Sequence, residues 1–305
     1  MQESVVQHRV RFDFEIEFSN GGGVQGQGFR LDIDGDDIDD RALGDLIVRD
    51  LRLLMVAGVR IRNKQIIREA HKRSQVTSAT DRPGPEDIVD LSHVIESGMI
   101  TYKGLPAPLI CDFMSREASQ QHYSAGTSFQ IARIEMIANT GTYLDSPYHR
   151  FAHGSDLSEL ALAHLAGLEA VVVNVTGMAA KAIDRGAFLP FEVRGKAVLV
   201  HTGWARHWRT DRYFEDHPFL THSAALHLEA QGAALVGIDS LNIDDTSDGA
   251  RPVHTVLLGA GIPIVEHLCN LERVPASGSR FTAVPPKVKG MGTFPVRAYA
   301  AVPRA

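Results

Sequence analysis

Apolar and polar residues alternate strictly from Val10 to Phe18, with Val10, Phe12, Phe14, Ile16 and Phe18 set against Arg11, Asp13, Glu15 and Glu17. A period of two is that of a strand with one wet face. The alternation resumes in "GFRLDI" after "NGGG", so a hairpin is predicted, with Gly21 to Gly23 free to take positive φ in the turn. From Arg41 to Ala57 the period lengthens. Leu43, Leu46, Ile47, Leu51, Leu54 and Met55 fall at helical spacing, Asp39 or Asp40 is placed to cap the first turn, and Gly58 to end the helix. The acidic run "DIDGDDIDD" before it has the look of a calcium loop but lacks the glycine and terminal glutamate at the required spacing, and a solvated helix entry accounts for it more simply.

"SQVTSATDRPGPED" is polar and broken by two prolines, which predicts a linker at residues 76–87 between a hairpin-and-helix extension (1–75) and a larger domain (88–305). Beyond it, "AVVVNVT", "AVLVHTG", "ALVGID" and "TVLLGAGIPIVEHL" are short, β-branched and bounded by turn residues, as strands buried on both faces are. Helical patterns such as "THSAALHLEAQG" intervene. The expectation is an α/β domain with side chains delivered from strand ends, preceded by a small α+β extension.

Charge narrows the function classes. With 31 Lys+Arg against 37 Asp+Glu there is no general basic field, so a nucleic-acid partner is not expected. The first residues lack the basic start and apolar stretch of a secretory signal, and no apolar run approaches the ~18 residues a membrane span needs. A cytoplasmic protein acting on a small molecule, away from membranes, is the expectation. Cys111 and Cys269 lie in no short-spaced ligand pattern and read as reduced, buried thiols.

Two places carry candidate chemistry. "NTGTYLDSPYHRF" sets Asp145 and His149 four apart around Pro147, which bars a helix interior, so the pair is presented from a turn or the very start of a helix. Surface residues would also fit that pair. In "RPVHTVLLGAGIPIVEHLCNL", His254 opens one apolar run and Glu266 closes another, and a hairpin-like unit would bring both to one sheet edge. Glu266 stands among apolar residues and needs a partner there, either a ligand or a buried arginine.

Asn139-Thr140-Gly141-Thr142-Tyr143-Leu144-Asp145-Ser146-Pro147-Tyr148-His149 resembles the signature HxGTHxDxPxH of the metal-dependent cyclase family, which includes bacterial kynurenine formamidase and isatin hydrolase. Asn139 and Tyr143 stand where the family has its first two histidines. "DLSHVIESGMITYKGLP", "VLVHTGW", "GIDSLNID", the pair His254 and Glu266, and "FTAVPPKVKGMGTFPVRAYA" are similar to further family segments, so the likeness spans about Asp87 to Val302.

The resemblance implies a swivelling β/β/α fold, dimers or tetramers, and hydrolysis of amides such as N-formylkynurenine or isatin through zinc or manganese. In two-metal members one ion takes the two signature histidines and the aspartate; the other takes that aspartate with the later His and Glu. Here the second set is complete as Asp145, His254 and Glu266, and the first is broken. One divalent ion, manganese, zinc or magnesium, is therefore expected, because three ligands leave room for water. His149 matches the catalytic histidine and is expected to act as general acid/base. Asn139 and Tyr143 are expected to hydrogen-bond substrate or water, and Trp204, with Trp208, Tyr213 and Phe214, to wall an aromatic pocket; His93 and His201 lie in matched segments too. The rival expectation is a metal-free scaffold that kept the fold and lost hydrolysis.

Overall fold

A computed structural model of the chain describes residues 6–19, 23–33, 35–51, 53, 56–70 and 86–303. The strands up to the site are β1 (Val6–Phe18), β2 (Gly23–Ile33), β3 (Val56–Ala70), β4 (Glu86–Asp90), β5 (Leu109–Met114), β6 (Ile131–Glu135) and β7 (Tyr143–Asp145). They are followed by β8 (Leu168–Asn174), β9 (Ala182–Ile183), β10 (Ala197–His201), β11 (Phe219–Leu220), β12 (Leu235–Ile238), β13 (Ile264–Glu266), β14 (Ser279–Thr282), β15 (Thr293–Pro295) and β16 (Tyr299–Pro303). The helices are α1 (Asp40–Asp50), α2 (Arg116–Ser119), α3 (His222–Gln231) and α4 (Pro252–Gly259).

The chain divides into two compact units. The first is Met1–Arg82 with Glu96–Ile100 and Gly104–Ile137; the second is Pro83–Ile95 with Thr101–Lys103 and Ala138–Ala305. Strands β5 and β6 thus belong with the first unit, although the sequence reading groups them with the second. The linker expected at 76–87 lies, as far as residue 85, outside the described residues, as do Gly21 and Gly22 of the hairpin turn.

In the first unit β1 is the centre of a sheet ordered β2-β1-β3, antiparallel throughout. Val10, Phe12, Phe14 and Ile16, the apolar half of the alternation, are buried with Phe29 and Leu31 of β2 and with Leu43 and Ile47 of α1. Asp39 caps α1 by accepting from the Ala42 amide at 2.8 Å, and Asp40 pairs with Lys64 at 2.8 Å, so the acidic run is a helix entry. The helix ends earlier than predicted. Val56 to Gly58 belong to β3, where Val59 and Ile61 turn inward against the core and β1 pairs along the strand's length; the ladder overrides a helical spacing whose last members, Leu54 and Met55, lie outside the described residues.

The second unit is built on a nine-stranded sheet ordered β15-β7-β13-β12-β10-β8-β14-β16-β4. Its middle strands β13, β12, β10 and β8 run parallel and the flanking pairs antiparallel. Successive residues of the middle strands feed opposite faces. Val171, Val173, Val198, Val200, Val236 and Ile238 pack with Ala224, Leu228, Val253 and Leu257 of α3 and α4 on one side. On the other, Ala170, Val172, Ala197, Leu199 and Leu235 pack with Leu144, Leu268 and Phe281. These are the doubly buried strands the apolar runs predict.

One of those runs is misread as a strand. Pro252–Gly259 is a helix, with Pro252 in its first turn and Val253, His254, Leu257 and Leu258 buried at helical spacing. The unit joining His254 to Glu266 is therefore helix, turn and strand, with no hairpin. No helix among the described residues is long and apolar enough to cross a membrane. Cys111 and Cys269 are unpaired and buried, as expected.

Candidate metal centre

Strand register assembles most of the site. Tyr143 and Asp145 are two apart on β7 and so share a face. Across β13, Glu266 is opposite Tyr143; across β15, Thr293 is opposite Asp145. Directly opposed side chains come within hydrogen-bond reach. The Tyr143 phenol donates to Glu266 Oε2 at 2.5 Å, and the Thr293 hydroxyl donates to Asp145 Oδ1.

His254 reaches this face from the start of α4. The Asp244 carboxylate accepts from the backbone amides of Val253 (2.7 Å) and His254 (3.0 Å) and lies 2.6 Å from His254 Nδ1. One residue thus caps the helix and turns the imidazole, leaving Nε2 to point at Asp145 Oδ2 (3.7 Å) and Glu266 Oε1 (3.8 Å). Asp145, Glu266 and Asp244 are all buried.

The cluster sets three carboxylates, Asp145, Asp244 and Glu266, around one imidazole. Burial alone would depress the His254 imidazole, but the carboxylates of Asp145, Asp244 and Glu266 outweigh it and push its pKa up to about 10. Burial, reinforced by the Asp145 charge, pushes the Glu266 carboxyl up to about 7, against the pull of His254 and Tyr143. Glu266 has no arginine partner among the described residues. Its oxygens take the Ile243 amide (2.6 Å), the Tyr143 phenol, and more distantly the Tyr102 phenol and the Asn242 amide (both 3.3 Å). Burial keeps both phenols far above their usual pKa, so they remain protonated donors.

The residues fit a divalent cation. Asp145 Oδ2 is buried and has no hydrogen-bond partner, an expensive state for a carboxylate oxygen. Two ligands each about 2.1 Å from an ion lie at most about 4.2 Å apart, and His254 Nε2 meets both carboxylates within that span at 3.7 and 3.8 Å. Among the described residues, the three-residue group whose ligand atoms all lie within 4.8 Å of one another is Asp145, His149 and His254; Glu266 reaches His254 but does not join that group, so the structure brings His149, rather than Glu266, together with Asp145 and His254. Asp244 holds the His254 imidazole in the way that an outer carboxylate orients a histidine ligand.

His149 closes a 3₁₀ turn, Pro147–His149, directly after β7, as Pro147 predicts. Its ring Nδ1 is 2.8 Å from Thr293 Oγ1 and 3.7 Å from Asp145 Oδ1. A hydroxyl has one proton, and Thr293 gives its proton to Asp145. Nδ1 of His149 is then the donor to Thr293, which in the neutral imidazole puts the lone pair on Nε2. Gly292 makes this approach possible: a Cβ there would lie 2.4 Å from the His149 amide nitrogen.

The remaining candidates are distributed unevenly. Tyr143 is buried on Glu266, whereas Asn139 is half-buried and takes no part in the hydrogen bonds joining Tyr143, Asp145, His254 and Glu266. Trp204 is buried on Tyr213 and Leu241 and donates its indole N–H to the Tyr213 carbonyl at 3.0 Å. Trp208 is the tryptophan that faces the tyrosine cluster. It stacks on His93 at 4.0 Å and meets His267, whose ring in turn packs 5.1 Å from Tyr143. Burial pushes the His93 imidazole down to about 4. His201 lies 4.0 Å from Asp239. Sequence reasoning missed Asp244, Thr293 and Tyr102 as participants, although each lies in one of the segments quoted above for their resemblance to the family.

The Cyclase family model, described as "Putative cyclase", matches residues 89–245, about half of the chain, and the chain belongs to that family. A kynurenine formamidase from Bacillus cereus is 25% identical over 211 residues, 69% of this chain and 95% of the relative. A solved structure from Bacillus stearothermophilus, described as a predicted metal-dependent hydrolase, superposes with a TM-score of 0.58 at 26% identity, covering 72% of this chain and 99% of the other. Isatin hydrolase A from Labrenzia aggregata superposes with a TM-score of 0.62 at 22% identity, covering 72% and 94%, and supports the fold.

Tyr143 is the residue by which this chain departs most visibly from the signature, and its hydroxyl has a measurable role. Replacing Tyr143 with phenylalanine removes the shortest hydrogen bond to Glu266 Oε2 inside a buried site. A buried bond to a charged acceptor is worth about 1.5–3 kcal/mol, so Tyr143→Phe is expected to lower the unfolding free energy by about 2 kcal/mol. Chemical denaturation of the two proteins side by side checks this; equal stability would mean that Tyr102, Asn242 and Ile243 hold Glu266 unaided.

Proposed function

We propose that this protein is a metal-dependent hydrolase that cleaves the carbon–nitrogen bond of a small aromatic or cyclic amide, of the N-formylkynurenine or isatin kind. Asp145, His254 and Glu266 would hold one divalent ion, manganese, zinc or magnesium. The observation that carries the reading is the buried, unpartnered Asp145 Oδ2 facing His254 Nε2, with Glu266 on the other side. The names of the relatives, kynurenine formamidase and metal-dependent hydrolase, support the reaction class.

An ion bound there supplies Lewis acidity, acidifying water and polarising a carbonyl. The chain's own groups do the rest. His149, with its Nε2 lone pair directed away from Thr293, takes a proton from attacking water and returns it to the leaving nitrogen. Tyr143, Tyr102 and Asn242 hold Glu266 in place, and Asp244 holds His254. Trp208, stacked on His93, offers a flat apolar surface to an aromatic ring. Trp204 and Asn139 are assigned lesser parts, because the first is engaged in packing and the second stands outside the hydrogen-bonded cluster.

Protein purified without chelator is expected to contain about one equivalent of manganese, zinc or magnesium and to hydrolyse at least one member of a panel of N-formyl arylamines and cyclic aryl amides. Less than about a tenth of an equivalent, with no response to added manganese or zinc, would replace this reading with a metal-free scaffold.

A further inference from the structure

Arg150 follows His149 directly and lies outside the signature. Its Nε donates to Thr255 Oγ1 at 3.2 Å, and Thr255 follows His254 on α4. That contact is one residue further along both segments than the facing rings of His149 and His254, whose centroids are 5.9 Å apart. Two restraints orient the guanidinium. Thr255 gives its own proton to the Arg251 carbonyl at 2.8 Å and so accepts from Arg150. The guanidinium carbon also stands 5.4 Å over the ring of Phe151, which packs on the core that α3 and α4 share with the sheet.

The two terminal nitrogens of Arg150 bond to no group among the described residues. Other arginines of this unit are paired, Arg297 with Asp90 at 2.6 Å and Arg212 with Asp216 at 4.0 Å. A planar fork with its Nε anchored, one face covered and its outer N–H groups free matches a carboxylate through two parallel hydrogen bonds. The neighbouring centre makes such a cation necessary for an anionic substrate. Asp145, Asp244 and Glu266 carry three negative charges, one more than a divalent ion supplies, so a carboxylate arriving there is repelled unless a cation stands beside its path. His149 is the exposed member of its trio with Asp145 and His254, and Arg150 is exposed next to it.

We propose that Arg150 is a specificity-determining residue of this site and binds a carboxylate that the substrate carries away from its scissile amide. The proposal rests on the hydrolase reading above and decides between its two kinds of substrate. An N-acyl aryl amine with an amino-acid carboxylate engages the guanidinium; a neutral cyclic amide such as isatin leaves it unused. Because Arg150 is anchored on Thr255, aside from Asp145, His254 and Glu266, it grips a group several bonds from the reacting carbon. Such a contact is made in the bound substrate and in the transition state alike, so it acts on KM more than on kcat.

The experiment compares N-formylkynurenine with N-formylkynuramine, which differs from it only in lacking the carboxylate. Full-length wild-type protein is expected to favour the first by about tenfold or more in kcat/KM. Arg150→Gln is expected to bring that ratio close to one, chiefly by raising KM for N-formylkynurenine, and Arg150→Lys, which keeps the charge and loses the fork, to restore only part of it. A ratio close to one in the wild type, or a ratio that Arg150→Gln leaves in place, overturns the proposal. Where neither formamide is hydrolysed, equilibrium binding of kynurenine and kynuramine replaces the rates. Tighter binding of kynurenine that Arg150→Gln abolishes then upholds the carboxylate site while the hydrolase reading falls, and equal binding of the two by the wild type overturns the site as well.

Discussion

If the protein is the metal-dependent amide hydrolase proposed, replacing Asp145 with asparagine is expected to leave a folded protein that no longer retains a divalent ion and whose kcat/KM falls by at least about 10³-fold. The substitution preserves the shape of the side chain and the backbone pairing of β7 with β13 and β15. Thr293 still finds an oxygen to donate to. What changes is the atom at Oδ2, which is buried without a hydrogen-bond partner and faces His254 Nε2 at 3.7 Å. An amide there offers either a neutral oxygen, a poor ligand beside a carboxylate, or an N–H₂ group that repels a cation. Metal analysis and steady-state rates on the same preparation, with circular dichroism to verify the fold, check the outcome. Full metal occupancy with unchanged rates would remove Asp145 from the centre and with it the proposed chemistry.

The same site illustrates what a sequence discloses and what it withholds. Asp145 and His149 are legible because Pro147 dictates a turn between them, and the 3₁₀ turn over Pro147–His149 follows from that single residue. His254 and Glu266 are legible as chemistry but not as architecture. Val253, Thr255 and Val256 are β-branched and imitate a strand, whereas packing against α3 and the sheet makes the segment a helix. Thr293 and Asp244 are opaque for another reason: their roles arise from cross-strand register over 148 residues and from a helix cap over 10, relations absent from local patterning. The first unit behaves likewise. The alternation from Val10 to Ile16 declares its buried face, but the membership of β5 and β6 in that unit rests on contacts that no periodicity encodes.

Replacing His149 with alanine is expected to lower kcat by about 10²–10⁴-fold, the usual contribution of a positioned proton-transfer group, while the metal content stays near that of the wild type. That split separates His149 from Asp145, His254 and Glu266, whose loss would remove ion and activity together. Thr293 then tests how the imidazole is prepared. Its hydroxyl donates to Asp145 and accepts from His149 Nδ1, so Thr293→Val, which keeps the branched shape and deletes the oxygen, leaves the imidazole free to turn or to take the other tautomer. The expected result is a smaller loss, about tenfold in kcat, with a displaced pH–rate profile, and recovery in Thr293→Ser, which restores the hydroxyl. If valine and serine behave alike, the hydroxyl does not orient the proton carrier. If His149→Ala sheds the ion as Asp145→Asn does, His149 is a ligand, consistent with its place within 4.8 Å of Asp145 and His254, and the proton must be carried by another group.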